Sequence, residues 1–201
     1  YPDKVTYPLT EDQIHNGPHH RSNFGYAYAK RMADIQSRAY RQQYGCNFVT
    51  VIPCNVYGPR DNFSLENGHV IPAIMHKCYL AKRDGTDLNL WGTGKAYREF
   101  VYSEDLGHLA QWTLENYDEP EPLIISPDEE ISIAVIAQEI AWRMGFTGNL
   151  VYNQQLEGQL RKPSDNSRLR ALLPDFQFTP IEEGLQRSVD WFISNYDEAR
   201  K

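Results

Sequence analysis

A chain of 201 residues suits one ordinary domain, and its content of 41% hydrophobic and 12% aromatic residues supplies a real core. The net charge of −7 argues against a nucleic-acid binder, although a few arginines and lysines can still build a local anion site. No apolar run reaches the roughly 20 residues of a membrane span. Cys46, Cys54 and Cys78 have neither zinc spacing nor an even-numbered framework, so free thiols in a reducing, cytoplasmic setting are expected.

Residues 1–22 read as loop, punctuated by Pro2, Pro8 and Asn16-Gly17-Pro18. Tyr1-Pro2-Asp3 resembles the exit of a strand already in progress and no Met precedes it, so the chain is expected to be a piece of a longer protein. His19 and His20 are adjacent and face different ways in any regular element, which favours a surface loop over a metal site. A helix is predicted from Phe24 to Tyr44, with Ser22 and Asn23 available as caps and Gly45 as its stop. Within it Tyr26 and Lys30 stand four residues apart, stacked on one face roughly 40° apart. An ammonium beside a phenol favours the phenolate and equips the tyrosine for acid-base work. Taken alone, the spacing is met more often by an ordinary solvated helix. Tyr28, Met32, Ile35 and Ala39 form an apolar stripe on the opposite face, available for packing.

Phe48-Val49-Thr50-Val51-Ile52 reads as a buried parallel strand. Pro53-Cys54-Asn55-Val56-Tyr57-Gly58-Pro59 follows at its carboxyl end, the edge where open α/β sheets bind ligands, although such a turn is also common in plain loops. His69 opens a helix with Pro72 in its first turn, either as an acid-base group or as a structural hydrogen-bonding residue. Leu88 to Trp91 reads as a strand and Gly92-Thr93-Gly94 as its turn, with no helix behind it to make a dinucleotide loop. Arg98 to Tyr102 reads as another strand, with Ser103 capping the helix after it. Arg98 suits bidentate phosphate binding or a strand-edge ion pair. A strand at Leu123 to Ser126, a helix from about Ile133 to Met144, capped by Ser132 and stopped by Gly145, and a strand at Leu150 to Tyr152 follow. The next loop, carrying Glu157, Gln159, Arg161 and Lys162, could close over a ligand. Helices at Asn166 to Leu172 and Ile181 to Tyr196 finish the chain, the latter anchored by Trp191 and Phe192.

Tyr26-x-x-x-Lys30, Pro53-x-Asn55-x-Tyr57-Gly58-Pro59 and Trp91-Gly92-x-Gly94-x3-Arg98-Glu99-Phe100 together resemble the extended short-chain dehydrogenases that act on nucleotide sugars. Asn16-Gly17-Pro18, Ser22 to Tyr26, Asp61-Asn62-Phe63 and Gly68 to Pro72 narrow that resemblance to the GDP-L-fucose synthase family. The resemblance implies an α/β fold, with residues 1–63 as the later part of an NADP-binding Rossmann domain and 64–201 mostly a GDP-sugar domain. It implies 3,5-epimerisation and NADPH-dependent 4-reduction of GDP-4-keto-6-deoxy-D-mannose, in a homodimer. By the same resemblance Tyr26, Lys30 and His69 would be catalytic, and Lys30, Pro53, Cys54, Asn55, Val56 and His69 would meet NADP(H). Lys77, Trp91, Arg98 and Glu157 would hold the GDP-sugar. No metal is implied. Arg60 departs from the family, which has histidine there. The family's Gly-rich NADP loop and its Ser-Ser-x-Cys stretch are not in this chain, so alone it is expected to be an incomplete enzyme. Another nucleotide-sugar epimerase or dehydratase, or a non-catalytic binding or dimerising fragment, are the competing readings.

Overall fold

The helix expected around Tyr26 spans Phe24–Tyr44 (α1) and ends at Gly45, which takes the left-handed conformation with φ 66°. The computed structural model describes residues 1–153 and 159–201. Asn23 sits at the start of α1 but its side chain makes no capping bond. The expected packing of the apolar stripe is not seen, since Tyr28, Met32 and Ile35 are all exposed. The buried residue of α1 is instead Asp34, which accepts from Arg38 Nε at 2.8 Å and hydrogen-bonds His15 Nε2 at 2.7 Å. A polar tie therefore docks α1 on the preceding loop. That loop contains two short 3-10 turns, Glu11–His15 and Arg21–Asn23, and buries His19 against the Tyr1 carbonyl, contrary to the surface position expected for it.

The strand after α1 is shorter and less buried than expected. It covers Val51–Pro53 (β1), then Asn55–Tyr57 (β2), while Phe48 is exposed. α2 (Val70–Asp84) is followed by β3 (Leu88–Leu90), β4 (Tyr97–Arg98) and β5 (Phe100–Tyr102). The single strand expected at 98–102 is thus two, broken at Glu99. α3 spans Ser103–Asn116, so Ser103 begins the helix, and Tyr102 holds the cap position. β6 (Leu123–Ile125), β7 (Ile131–Ser132), α4 (Ile133–Arg143), β8 (Leu150–Tyr152), α5 (Ser167–Leu172) and α6 (Ile181–Ser194) complete the order. Ser132 caps α4 as expected, accepting from Val135 N at 3.2 Å. α6 ends at Ser194, short of Tyr196.

β1 pairs with β6, β2 with β5 and β3 with β8, all parallel, while β4 pairs antiparallel with β7. Helices link the parallel strands, and the fold is α/β. One core packs α2, α4 and α6 around Tyr57, Met75, Ile140 and Phe192. Phe63 stacks on Phe192 with ring centroids 4.3 Å apart, which fixes α6 against the chain that leads into α2. A second cluster joins Val101, Leu109, Leu123 and Leu169.

Gly184 of α6 lies under the Tyr57 ring, and a Cβ there would stand 2.1 Å from the phenol oxygen. A helical Gly→Ala change ordinarily gains about 1 kcal/mol, but overpacking costs about 1–3 kcal/mol. Gly184→Ala is expected to lower the urea midpoint at unchanged slope. Gly107→Ala in α3, where a Cβ meets nothing within 4 Å, is expected to raise it.

Candidate active site

The change of partner from β6 to β5 happens at Cys54. Its N–H still donates to the Ile125 carbonyl at 3.0 Å, and the next residue, Asn55, is already in register with Phe100. The Asn55 amide donates to the Glu99 carbonyl at 2.8 Å, closing the junction. Two clefts open here. The larger, of about 860 Å³, has Tyr26 of α1 on one side, the Pro53–Val56 turn beneath, and His69, Arg98 and Lys162 among its other walls. The smaller, of about 300 Å³, shares Asn55, Val56, His69 and Arg98 and adds Trp91.

The structure therefore brings Tyr26, Pro53, Cys54, Asn55, Val56, His69, Arg98 and Trp91 to one connected space. Lys30 stands behind Tyr26, its ammonium 5.5 Å from the ring centroid. Lys77 reaches the smaller cleft through Trp91, its ammonium lying 3.8 Å from the indole centroid. Its pKa is lowered by burial. Glu157 lies outside the described residues. His69 holds the cap position of α2 without a side-chain capping bond, so its imidazole is exposed to the cleft.

The charge pattern suits an anion. Burial lowers the pKa of Arg98, and burial followed by repulsion from Arg98 lowers that of Lys162. Two cations that repel each other across a shared cleft are matched by a diphosphate. Burial pushes the Cys54 thiol well up, with the Glu99 carboxylate adding to it, so Cys54 is a neutral wall and no nucleophile. Burial also raises Asp61, against the pull of the Asn62 N–H at 2.6 Å and of His69.

Two residues that sequence reasoning passed over complete the walls. Glu99 is 6% exposed, and its carboxylate accepts from Ser164 N and Ser164 Oγ, each at 2.7 Å. The signal was an acid placed next to Arg98 inside an otherwise apolar β run. Ser164 carried no signal of its own. Among the described residues no group of three or more His, Cys, Asp or Glu could hold a metal.

Parallel strands with an open turn at a change of partner, beside a tyrosine with a lysine one helical turn behind it, are features of the α/β folds that bind a ligand at a switch in strand order. The chain belongs to the NAD dependent epimerase/dehydratase family, which residues 1–126 match. Among individual proteins it is similar to the GDP-L-fucose synthase of Dictyostelium discoideum, 52% identical over all of this chain and 64% of that protein. The probable GDP-L-fucose synthase of Drosophila melanogaster is 44% identical over all of this chain and 66% of its own length. The crystal structure of a GDP-L-fucose synthetase from Naegleria fowleri bound to NADP superposes with a TM-score of 0.98 at 44% identity, covering 100% of this chain and 65% of that one. The chain thus spans just under two thirds of the length of these relatives.

The Glu99 carboxyl is raised above its ordinary value of 4.5 by burial first, its two bonds from Ser164 pulling the other way. A carboxyl raised in the folded state contributes stability that is complete below the unfolded value and is lost as pH rises through the folded one. In Glu99→Gln the amide oxygen can still accept from Ser164 N and the amide nitrogen can donate to Ser164 Oγ. The variant is expected to gain stability relative to the parent as pH rises from 4 to 7, read from urea midpoints measured in parallel. A constant difference across that range would contradict the burial of an ionised carboxylate here.

Proposed function

We propose that the protein carrying this chain converts GDP-4-keto-6-deoxy-D-mannose to GDP-L-fucose by 3,5-epimerisation followed by NADPH-dependent reduction at C4. The observation that carries this reading is the 52% identity to a GDP-L-fucose synthase along the whole chain, coupled with Tyr26, His69 and Arg98 facing one cleft. The residues fit a nicotinamide dinucleotide. The Pro53–Val56 turn, with Pro53 and Asn55 exposed, lies at the carboxyl end of a parallel strand, on the wall of the cleft that Tyr26 also lines. Lys30 would hold the nicotinamide ribose, Pro53 to Val56 and His69 would line the ring's site, and Lys77, Trp91, Arg98 and Glu157 would hold the GDP-sugar. Bound NADPH supplies the reducing equivalent at C4.

The chain's own groups divide the rest. The 4-keto group acidifies the neighbouring C3 and C5 protons, so one carbonyl serves both epimerisations and the reduction. Once a base has taken a C3 or C5 proton and left the enediolate, His69, exposed to the cleft, returns a proton to carbon from the opposite face. Tyr26 gives its phenolic proton to the C4 oxygen as that oxygen gains charge, and Lys30 stabilises the phenolate left behind. Arg98, with Lys162 facing it, neutralises the diphosphate. Residues 1–63 carry the cofactor side and 64–201 most of the sugar side. A second copy of the chain is the partner we assign to the exposed Tyr28, Met32 and Ile35 stripe, and the three free thiols fit a cytoplasmic setting. No helix among the described residues is long and apolar enough to cross a membrane.

Substrate-dependent NADPH oxidation with GDP-L-fucose as product is the direct test of the reading, and a cofactor that is recycled with no net oxidation would overturn it in favour of a 4-epimerase. Tyr26→Phe is expected to abolish reduction, a loss of at least about 100-fold, while GDP-sugar affinity stays nearly intact. Equal loss of binding would count against the proton-donor role. His69→Gln is expected to slow deuterium wash-in at C3 and C5 more than it slows reduction. An unchanged wash-in rate would remove His69 from the epimerisation.

A further inference from the structure

Residues 159–165 form a strap along the edge of β4 and β7. The Leu160 carbonyl accepts from Tyr97 N at 2.8 Å, Arg161 Nε donates to Glu130 Oε2 at 2.9 Å, and Ser164 makes both bonds to the Glu99 carboxylate. On its other side the strap is held by the backbone of Leu9, through Leu9 N to the Pro163 carbonyl and Asp165 N to the Leu9 carbonyl, both 2.8 Å. Tyr97 through its backbone N–H and Glu99 through its carboxylate hold the strap, and Arg98 and Glu99 both line the larger cleft. The strap in turn brings Gln159 and Lys162 to the wall of the same cleft.

We propose that Glu99 is a positioning residue for substrate affinity. Through Ser164 it holds the strap so that Lys162 stays opposed to Arg98, a placement that their mutual repulsion would otherwise undo. The bonds are charge-assisted and shielded from water, which is where a carboxylate holds a donor most firmly. The backbone pairing with Leu9 remains when Glu99 is removed, so the strap shifts and does not detach. Binding should then weaken while the reacting groups, Tyr26 and His69, keep their places.

This inference rests on the GDP-sugar reading of the cleft. The experiment therefore uses two readouts on the protein carrying this chain: titration with GDP alone, followed by Trp fluorescence, and steady-state kinetics with the keto-sugar nucleotide. Glu99→Ala is expected to raise the GDP Kd and the substrate KM about tenfold, with kcat within about twofold. Glu99→Gln, able to keep both Ser164 bonds, should stay within about twofold of the parent on every measure. Ser164→Ala should raise both constants about threefold, and adding it to Glu99→Ala should cost nothing further. An unchanged Kd in Glu99→Ala, a Glu99→Gln variant as weak as Glu99→Ala, or a fall in kcat at constant KM would each overturn the proposal. Should Glu99→Ala fail to fold, Ser164→Ala decides by itself, and an unchanged Kd there overturns it. If the protein binds GDP with the expected pattern but does not turn over, the positioning role stands and the assigned reaction falls.

Discussion

The parallel register of residues 55–57 with 100–102 is the constraint on which the candidate site depends. β1 and β6 run side by side as far as Pro53 and Ile125, and the chain then crosses to a new partner within one residue. That crossing places Cys54 and Glu99 together, and Arg98 is the next residue back. Asn55 and Arg98, 43 positions apart along the chain by their numbers, thereby come to share one space. The bond from the Asn55 amide to the Glu99 carbonyl fastens the junction from the side-chain direction. Parallel pairs need long crossovers, and here the crossover carries α2 with His69 at its start, which puts an imidazole at the same edge.

The elements most legible in the sequence were those set by local signals. α1 runs from Phe24 to Tyr44 because nothing in its 21 residues breaks it and Gly45 can take a left-handed turn. Ser132 and Gly145 bound α4 for similar reasons. The misreadings concern long-range pairing. The β-branched run at 48–52 has strand propensity, but the ladder partners it finds, Leu123 to Ile125, lie opposite residues 51–53. The apolar run through Arg98 to Tyr102 looks continuous, yet its two halves pair with different strands in opposite senses. Propensity cannot report which strand will lie alongside, and Glu99 marks the break only once Ser164 is seen to bind it.

The same division holds for the site. Tyr26, Lys30, Asn55, His69 and Arg98 could be named as candidates from residue type and the family resemblance, and the fold gathers them about one space. Ser164 could not, since its contribution is two hydrogen bonds to a residue 65 positions away. A cleft needs charges that face the ligand and other groups that keep those charges apart, and only the first kind has a compositional signature. Burial and then repulsion from Arg98 disfavour the Lys162 ammonium, and the bonds between Ser164 and Glu99 hold the chain two residues beyond it.

The position of Tyr26 itself follows from an unusual docking of its helix. An amphipathic helix normally settles by burying its apolar stripe. In α1 the stripe is exposed, and the buried contact is Asp34, held between His15 from the loop and Arg38 one turn on. Both contacts fall on the same oxygen, Oδ2, so one carboxylate atom ties the loop to the helix. Supplying one contact from the helix and one from the loop restricts rotation about the helix axis more sharply than a greasy contact would, because hydrogen bonds are directional and hydrophobic contacts are not. Asp34 lies eight residues from Tyr26 and four from Lys30, so the rotation it sets is the rotation that turns both toward the cleft or away from it. The face left over, carrying Tyr28, Met32 and Ile35, takes no part in that tie and is exposed.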